Sequence, residues 1–298
     1  MRDFVRQLQV WLSVPRDCET VRRSILRRLK FHVDLSTNEL ISGDGFKSAC
    51  DFVVEGFIEN SIEIFSKFRN GHGRLFVQAM PGSNAIAVLI DACLYGYEFP
   101  EIDLIIHNGD IVPNEVEMEL LSRSFRSIRS VNWLGMDTVA KPLPIGLENA
   151  SKMRNGVPAD YLQEIERGLK SFNSRDIELL VCFSLWTNSS VRTEALSWAK
   201  GIPGAIIIDN PITPRAYRKL VLRSKYVLSP PGNGPDCHRT WEALYLGATP
   251  IVLKDYWPFR GYELPVVSLN GWGELERVIS QPYLSRSDHW RELANWLK

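Results

Sequence analysis

The stretch Ser224–Phe259, SKYVLSPPGNGPDCHRTWEALYLGATPIVLKDYWPF, decides the fold. It reads as strand, loop, helix, strand. Tyr226–Leu228 is a short apolar run, and residues 229–235 hold three prolines and two glycines, which continue neither strand nor helix. Asp236 stands where an N-cap is expected, Cys237–Leu246 has helical texture, and Gly247 closes it. A second apolar run follows at Pro250–Leu253. Two strands joined through a helix pair in parallel. In an open parallel sheet, such a loop and helix start lie at the carboxyl edge of the strands, where ligands bind.

The same texture extends backwards from this stretch. Short apolar runs at Leu75–Gln78, Asp103–His107, Leu179–Phe183 and Ala205–Ile208, and a further one at Val266–Leu269, alternate with helical segments. Runs of this length read as parallel strands covered on both faces, and the class is α/β. A helix is expected near Lys47–Phe68, with Asp51, Glu55, Glu59 and Glu63 as a solvated acidic stripe. The segment 141–160, KPLPIGLENASKMRNGVPAD, is rich in proline and glycine and reads as a domain junction. The expected units are residues 1–150, with a basic helical segment at 1–30, and residues 151–284. A final helix over 285–298 is expected to pack back toward the first unit.

Composition narrows the function classes. The 298 residues carry 35 Lys+Arg against 35 Asp+Glu, which argues against a dedicated nucleic-acid binder. The balance is a cancellation: residues 1–30 hold eight basic and three acidic side chains, and the body is mildly acidic. Within that segment Val21, Ile25 and Leu29 form an apolar stripe among arginines. It reads either as a packed helix with a solvated basic face or as a peripheral contact with an anionic membrane. Five scattered cysteines without a C-x-x-C pair read as reduced thiols, and no apolar run approaches a transmembrane length. The expected compartment is the cytoplasm.

The chemistry is concentrated in the loop after Leu228 and in the helix that follows. Free N–H groups at the helix start suit a phosphate or diphosphate. Arg239 offers a forked, permanently charged partner for phosphate oxygens, and Glu242 an acceptor for two vicinal hydroxyls, as on a ribose. As an i, i+3 pair they also fit a plain surface ion pair; their place beside the glycine loop favours ligand contact. His238 reads either as a contact to phosphate or sugar or as a packing residue. No D-x-D with hydrophobic flanks and no His/carboxylate cluster at ligand spacing points to a metal.

Ser224, Lys225, Leu228, Pro230, Gly232, Gly234, Asp236, Arg239, Glu242, Ala243, Leu244, Gly247, Pro250, Ile251 and Val252 together resemble the C-terminal half of exostosin-like glycosyltransferases. The segment 182–192 resembles the strand-loop-helix carrying a phosphate-facing arginine in that family, and Pro144–Leu147 its domain-joining segment. The resemblance is specific over roughly Leu179–Leu284 and only architectural before that. It implies a GT-B fold, with two Rossmann-like doubly wound domains facing a central cleft. It also implies an inverting, metal-independent enzyme that needs no cofactor. Such an enzyme moves a sugar from a nucleotide-diphosphate donor, most simply a UDP-sugar and with a lean to a pentose such as xylose, to a hydroxyl of a glycan or glycolipid. A bacterial or viral version fits a chain without the family's membrane anchor. The implied donor site comprises Ser184, Arg192, Ser229, Gly232, Asn233, Gly234, His238, Arg239 and Glu242. The base should come from the loop after the strand at 103–106, where Asp110 is preferred to His107, although Asp110 also reads as a turn residue. A catalytically silent nucleotide- or glycan-binding module and a nucleotide-sugar epimerase are the competing readings.

Overall fold

In the computed structural model, residues 40–59, 65, 66, 68, 71–152 and 154–280 are described. The basic segment 1–30 and the helix expected over 285–298 lie outside the described residues.

Ten strands among the described residues form two all-parallel sheets of five, joined by helices in α/β fashion. The first contains β1 (Phe52–Val54), β2 (Gly73–Gln78), β3 (Phe99–His107), β4 (Phe125–Val131) and β5 (Lys141–Leu143), side by side in chain order. Its helices are α1 (Gly43–Ser48), α2 (Ala85–Leu94) between β2 and β3, and α3 (Glu115–Ser124) between β3 and β4. After α4 (Pro158–Glu166) comes the second sheet. It contains β6 (Ile177–Val181), β7 (Ala205–Ile207), β8 (Ser224–Leu228), β9 (Thr249–Leu253) and β10 (Val267–Leu269). Between its strands run α5 (Ser189–Ala199), α6 (Pro214–Val221) and α7 (His238–Tyr245), and α8 (Leu275–Ser280) follows β10.

The second sheet runs β10-β9-β8-β6-β7, so its order reverses between β6 and β8. The described strands of the first sheet show no such reversal. A reversal sends successive connections to opposite faces and leaves a crevice at the carboxyl ends of the two strands that flank it. The loops that open there are residues 182–188 after β6 and residues 229–237 after β8.

Side chains alternate across each strand and divide the core accordingly. In the first sheet Leu75, Val77, Leu104 and Ile106 face α2 and α3, packing with Leu89, Met118 and Leu121. Phe76 and Ile105 face the other way. They join one cluster with Phe46, Leu143 and Leu147 and with Tyr217, Trp241, Leu244, Tyr245, Trp257 and Phe259 of the second half. The two sheets therefore share a continuous apolar core. At roughly 25 cal/mol per Å² of apolar surface removed from water, separating them would expose several large buried aromatics at considerable cost.

Three strands differ from the expected pattern. β1 lies inside the segment expected to be helical. Asp51 N donates to Arg74 O (3.0 Å) and Arg74 N donates to Asp51 Oδ2 (2.9 Å), clamping the start of β1 to β2. Asp51, Glu55 and Glu59 therefore form no helix stripe, and Glu63 lies outside the described residues. β4, FRSIRSV, is too polar for a buried-strand signature; Arg126 Nε reaches across to Asp103 Oδ1 on β3 at 2.9 Å. β5 occupies the start of the proline-rich junction, and Pro142 is tolerated because β5 is an edge strand.

Asp236 does not cap α7, whose N-cap is Cys237. Its buried carboxylate instead accepts from Ile145 N (2.9 Å) and from Trp241 Nε1 (2.8 Å), bridging the halves. Burial pushes its pKa up to about 7 against these donors. Two further bonds cross the same seam: Ile41 N donates to Tyr245 Oη at 2.7 Å and Asp236 N to Asn132 Oδ1 at 3.3 Å.

Candidate nucleotide-binding cleft at the strand reversal

A cleft of about 880 Å³ opens at the strand reversal. Its walls come from residues 182–186 after β6, from residues 208–212 after β7, and from Arg192, Tyr217, Cys237, His238, Arg239 and Glu242. Arg154 and Asn155 close one side. Arg154, Arg192, Lys200 and Arg239 outnumber the acids Asp209 and Glu242 on this wall, in a chain whose total charge is zero. A low-dielectric cleft with a cationic surplus concentrates anions.

Of the expected site residues, Ser184, Arg192, His238, Arg239 and Glu242 converge on this cleft. Arg239 stands in the first turn of α7. Its Nε donates to Cys182 O at 2.8 Å and its guanidinium lies 5.5 Å from the Phe183 ring centroid. Glu242, one turn on, is 4% exposed. Arg239 Nη1, Glu242 Oε1 and Tyr217 Oη are buried on the cleft wall without a hydrogen bond of good geometry among the described residues, although the Tyr217 hydroxyl lies near enough to Glu242 to stabilise its carboxylate. Buried polar atoms are almost always satisfied. Two donors and an acceptor left open together form a ready set for a polar ligand.

Arg192, 6% exposed, has a second task. Its Nε donates to Pro231 O at 2.9 Å and its Nη1 to Ser184 O at 2.7 Å. It thereby ties the loop after β6 to the loop after β8 across the reversal.

The glycine loop does not line the cleft. Gly232 N donates to Gly234 O (3.0 Å), and a Cβ on Gly234 would lie 2.4 Å from Asn132 Nδ2. Gly234 is small because Asn132 packs on it. Ser229 is buried against Thr240, with 2.8 Å between the hydroxyls. Asn233 Nδ2 reaches Asp110 Oδ2 at 3.3 Å, so these two residues meet at an exposed rim of the seam. His107 is buried with both ring nitrogens engaged: Asn108 N donates to Nδ1 at 2.7 Å, and Nε2 donates to Pro144 O at 3.0 Å. Burial lowers its pKa to about 4. A histidine so committed has no lone pair left for a substrate hydroxyl. Trp257 packs in the core against Trp241 and Phe259 and offers no stacking face. Asn84, in the turn after β2, bonds both backbone groups of Ile58 and serves that turn.

Phe183, Tyr217, Arg154 and Trp186, which is 96% exposed at the rim, were not legible as site residues. Only Phe183 carried a signal, its place directly after a strand beside the reversal. Among the described residues no group of three or more His, Cys, Asp or Glu side chains is arranged to hold a metal ion, and no helix is long and apolar enough to cross a membrane.

Burial pushes the Glu242 carboxyl up to about 7, with Arg239 and the hydroxyls of Tyr161 and Tyr217 opposing the rise. A raised carboxyl pKa means that the folded chain keeps a proton the unfolded chain releases. Its stabilising contribution is complete below pH 4.5 and is lost as pH rises through about 7. Glu242→Gln is neutral at every pH. Without ligand, its stability relative to wild type should therefore be higher at pH 8 than at pH 5, by about 1–3 kcal/mol, since a tenfold difference in proton affinity between the folded and unfolded chain is worth about 1.4 kcal/mol. Thermal melts of both proteins at the two pH values measure this. An equal difference at both would show that Glu242 ionises as freely folded as unfolded.

Neither a scan against protein-family models nor a search of curated proteins finds a match to this chain.

Proposed function

We propose that this chain is a glycosyltransferase of GT-B architecture that takes its sugar from a nucleoside diphosphate donor, most simply a UDP-sugar, and transfers it with inversion to a hydroxyl of a glycan or glycolipid. The observation that carries the reading is the trio of unpartnered buried atoms on Arg239, Glu242 and Tyr217, set in a cationic cleft at the strand reversal. The motif resemblance falls on two of those three residues.

In this reading the diphosphate lies against Arg239 and Arg192. Arg239 is held by Cys182 O and the Phe183 ring, so its charge is oriented before the ligand arrives. Preorganised cations stabilise the charge that develops on the departing diphosphate. Glu242 and Tyr217 meet the ribose hydroxyls, the carboxylate as acceptor and the phenol as donor or acceptor. Binding a hydroxyl donor favours the ionised carboxylate, so ligand and ionisation at Glu242 support each other. The acceptor enters from the side of the first sheet, where the loop after β3 meets α7.

Calorimetric titration of uridine, guanosine and cytidine diphosphates and their sugars, followed by product analysis, tests this. Wild type should bind one nucleotide class, and Glu242→Ala should bind it at least about tenfold more weakly, the effect of losing one good polar contact (about 1.4 kcal/mol). A wild type that binds no nucleoside diphosphate, or a Glu242→Ala variant that binds it unchanged, overturns the assignment. Recovery of an epimerised nucleotide sugar in place of a transferred one identifies an epimerase.

A further inference from the structure

We infer that His238 is the general base that takes the proton from the acceptor hydroxyl, a role that rests on the transferase reading above. His238 opens α7, one residue before Arg239, and lines the same cleft. It is also where the second half touches the first: its Nδ1 lies 2.7 Å from Gly146 O. A carbonyl oxygen only accepts, so the proton sits on Nδ1 and Nε2 carries the lone pair.

That geometry changes what the residue can bind. A lone-pair nitrogen repels a phosphate oxygen and attracts a hydroxyl donor, so of the readings the sequence left open for His238 this geometry disfavours the phosphate contact. The orienting carbonyl is itself held in place. Gly146 has φ +67°, and a Cβ there would lie 2.3 Å from Ile41 O, so only glycine presents this carbonyl at this position. The nearby His107 makes the contrast, since both of its nitrogens are already engaged within the seam.

The charged neighbours suit a base. Burial and the positive charge of Arg239 keep the imidazole neutral, and the start of α7 acts in the same direction. His107, held neutral by its own burial, adds no charge of its own. The hydrogen bond to Gly146 O pulls the other way, as do Glu148, just beyond Gly146, and Asp110, on the loop after β3. They stabilise the imidazolium once a proton arrives. Asp110 thus acts through His238 as a charge partner, and Asn233 holds its carboxylate at 3.3 Å.

The step balances. The acceptor O–H bond breaks with its proton passing to Nε2, and the freed oxygen pair forms the bond to the anomeric carbon. The bond from that carbon to the diphosphate breaks with its electron pair leaving on the nucleotide, beside Arg239 and Arg192.

The test uses UDP-glucose and UDP-xylose with water as acceptor, comparing wild type, His238→Gln and Asp110→Asn. His238→Gln should bind UDP as wild type does and lose about 10²–10⁴-fold in turnover, the usual yield of a positioned base. Wild-type turnover should fall on the acid side, below the ordinary imidazole value of 6.5, and the residual turnover of His238→Gln should not show that limb. Nitrogen-15 spectra of the wild type should show His238 protonated at Nδ1 alone. Wild-type turnover in His238→Gln, a proton on Nε2, or a larger loss in Asp110→Asn than in His238→Gln overturns the assignment to His238 while leaving the nucleotide site standing. Failure of the wild type to bind any nucleoside diphosphate removes the transferase reading, and this role with it.

Discussion

Arg239→Ala is expected to weaken nucleoside diphosphate binding by about 2–5 kcal/mol, roughly thirtyfold to several thousandfold, with a smaller change in the stability of the unliganded fold. The two halves of this expectation have one cause. Among the described residues Arg239 makes a hydrogen bond from Nε to Cys182 O, and its Nη1 is buried without a partner. In the empty cleft the cost of desolvating the charge is offset by Glu242 and the other groups around it, so its removal changes the stability of the fold less than it changes ligand binding. In the occupied cleft the same charge meets phosphate oxygens where water is scarce. Arg239→Lys retains the charge but loses the planar pair of donors and the contact over Phe183, and it should recover only part of the affinity. Isothermal titration with UDP and thermal melts of the three proteins measure both quantities. Unchanged affinity in Arg239→Ala refutes the site, and a large drop in melting temperature shows that Arg239 is structural.

The second large effect belongs to Asp236, which holds the halves together. Asp236→Ala strands the Ile145 N–H and the Trp241 Nε1–H in a buried seam. Each buried donor left unsatisfied costs about 1–3 kcal/mol, so a total of about 2–5 kcal/mol is expected. For a chain of this size that lowers the melting temperature by about 2–4 °C per kcal/mol. Asp236→Asn keeps one acceptor oxygen for one of the two donors and should lose less. Because Asp236 immediately precedes α7, which carries His238, Arg239 and Glu242, the alanine variant should also bind UDP more weakly even where it remains folded. A melting temperature within about 2 °C of wild type, by scanning calorimetry, would remove Asp236 from this role.

Legibility followed the range of the interaction. Seven strand runs were readable because apolar character and Gly/Pro punctuation are local. β1, β4 and β5 were not. β1 is held by Asp51 against Arg74, β4 is a polar strand paired through Arg126 and Asp103, and β5 is a three-residue edge containing proline. The site divides the same way. Arg192, Arg239 and Glu242 stood out by type and spacing beside a loop. The glycine loop was readable as a loop but not as a packing element, because what it approaches, Asn132, comes from the other sheet.

Residues close along the chain were enough to set the α/β class, the strand-loop-helix at 224–246 and the side chains fit for diphosphate and ribose. Which of those side chains act together was a matter of long-range packing. Packing buried Ser229, set Gly232 and Gly234 in their own turn against Asn132, and left Arg239 Nη1, Glu242 Oε1 and Tyr217 Oη open on one wall. It committed one nitrogen of His107 and one of His238, through carbonyls 37 and 92 residues away, while the neighbouring Asn108 N took the other nitrogen of His107. The physical reason is that a polar group's chemistry depends on whether its hydrogen bonds are already made, and in a buried seam the partners come from far along the chain.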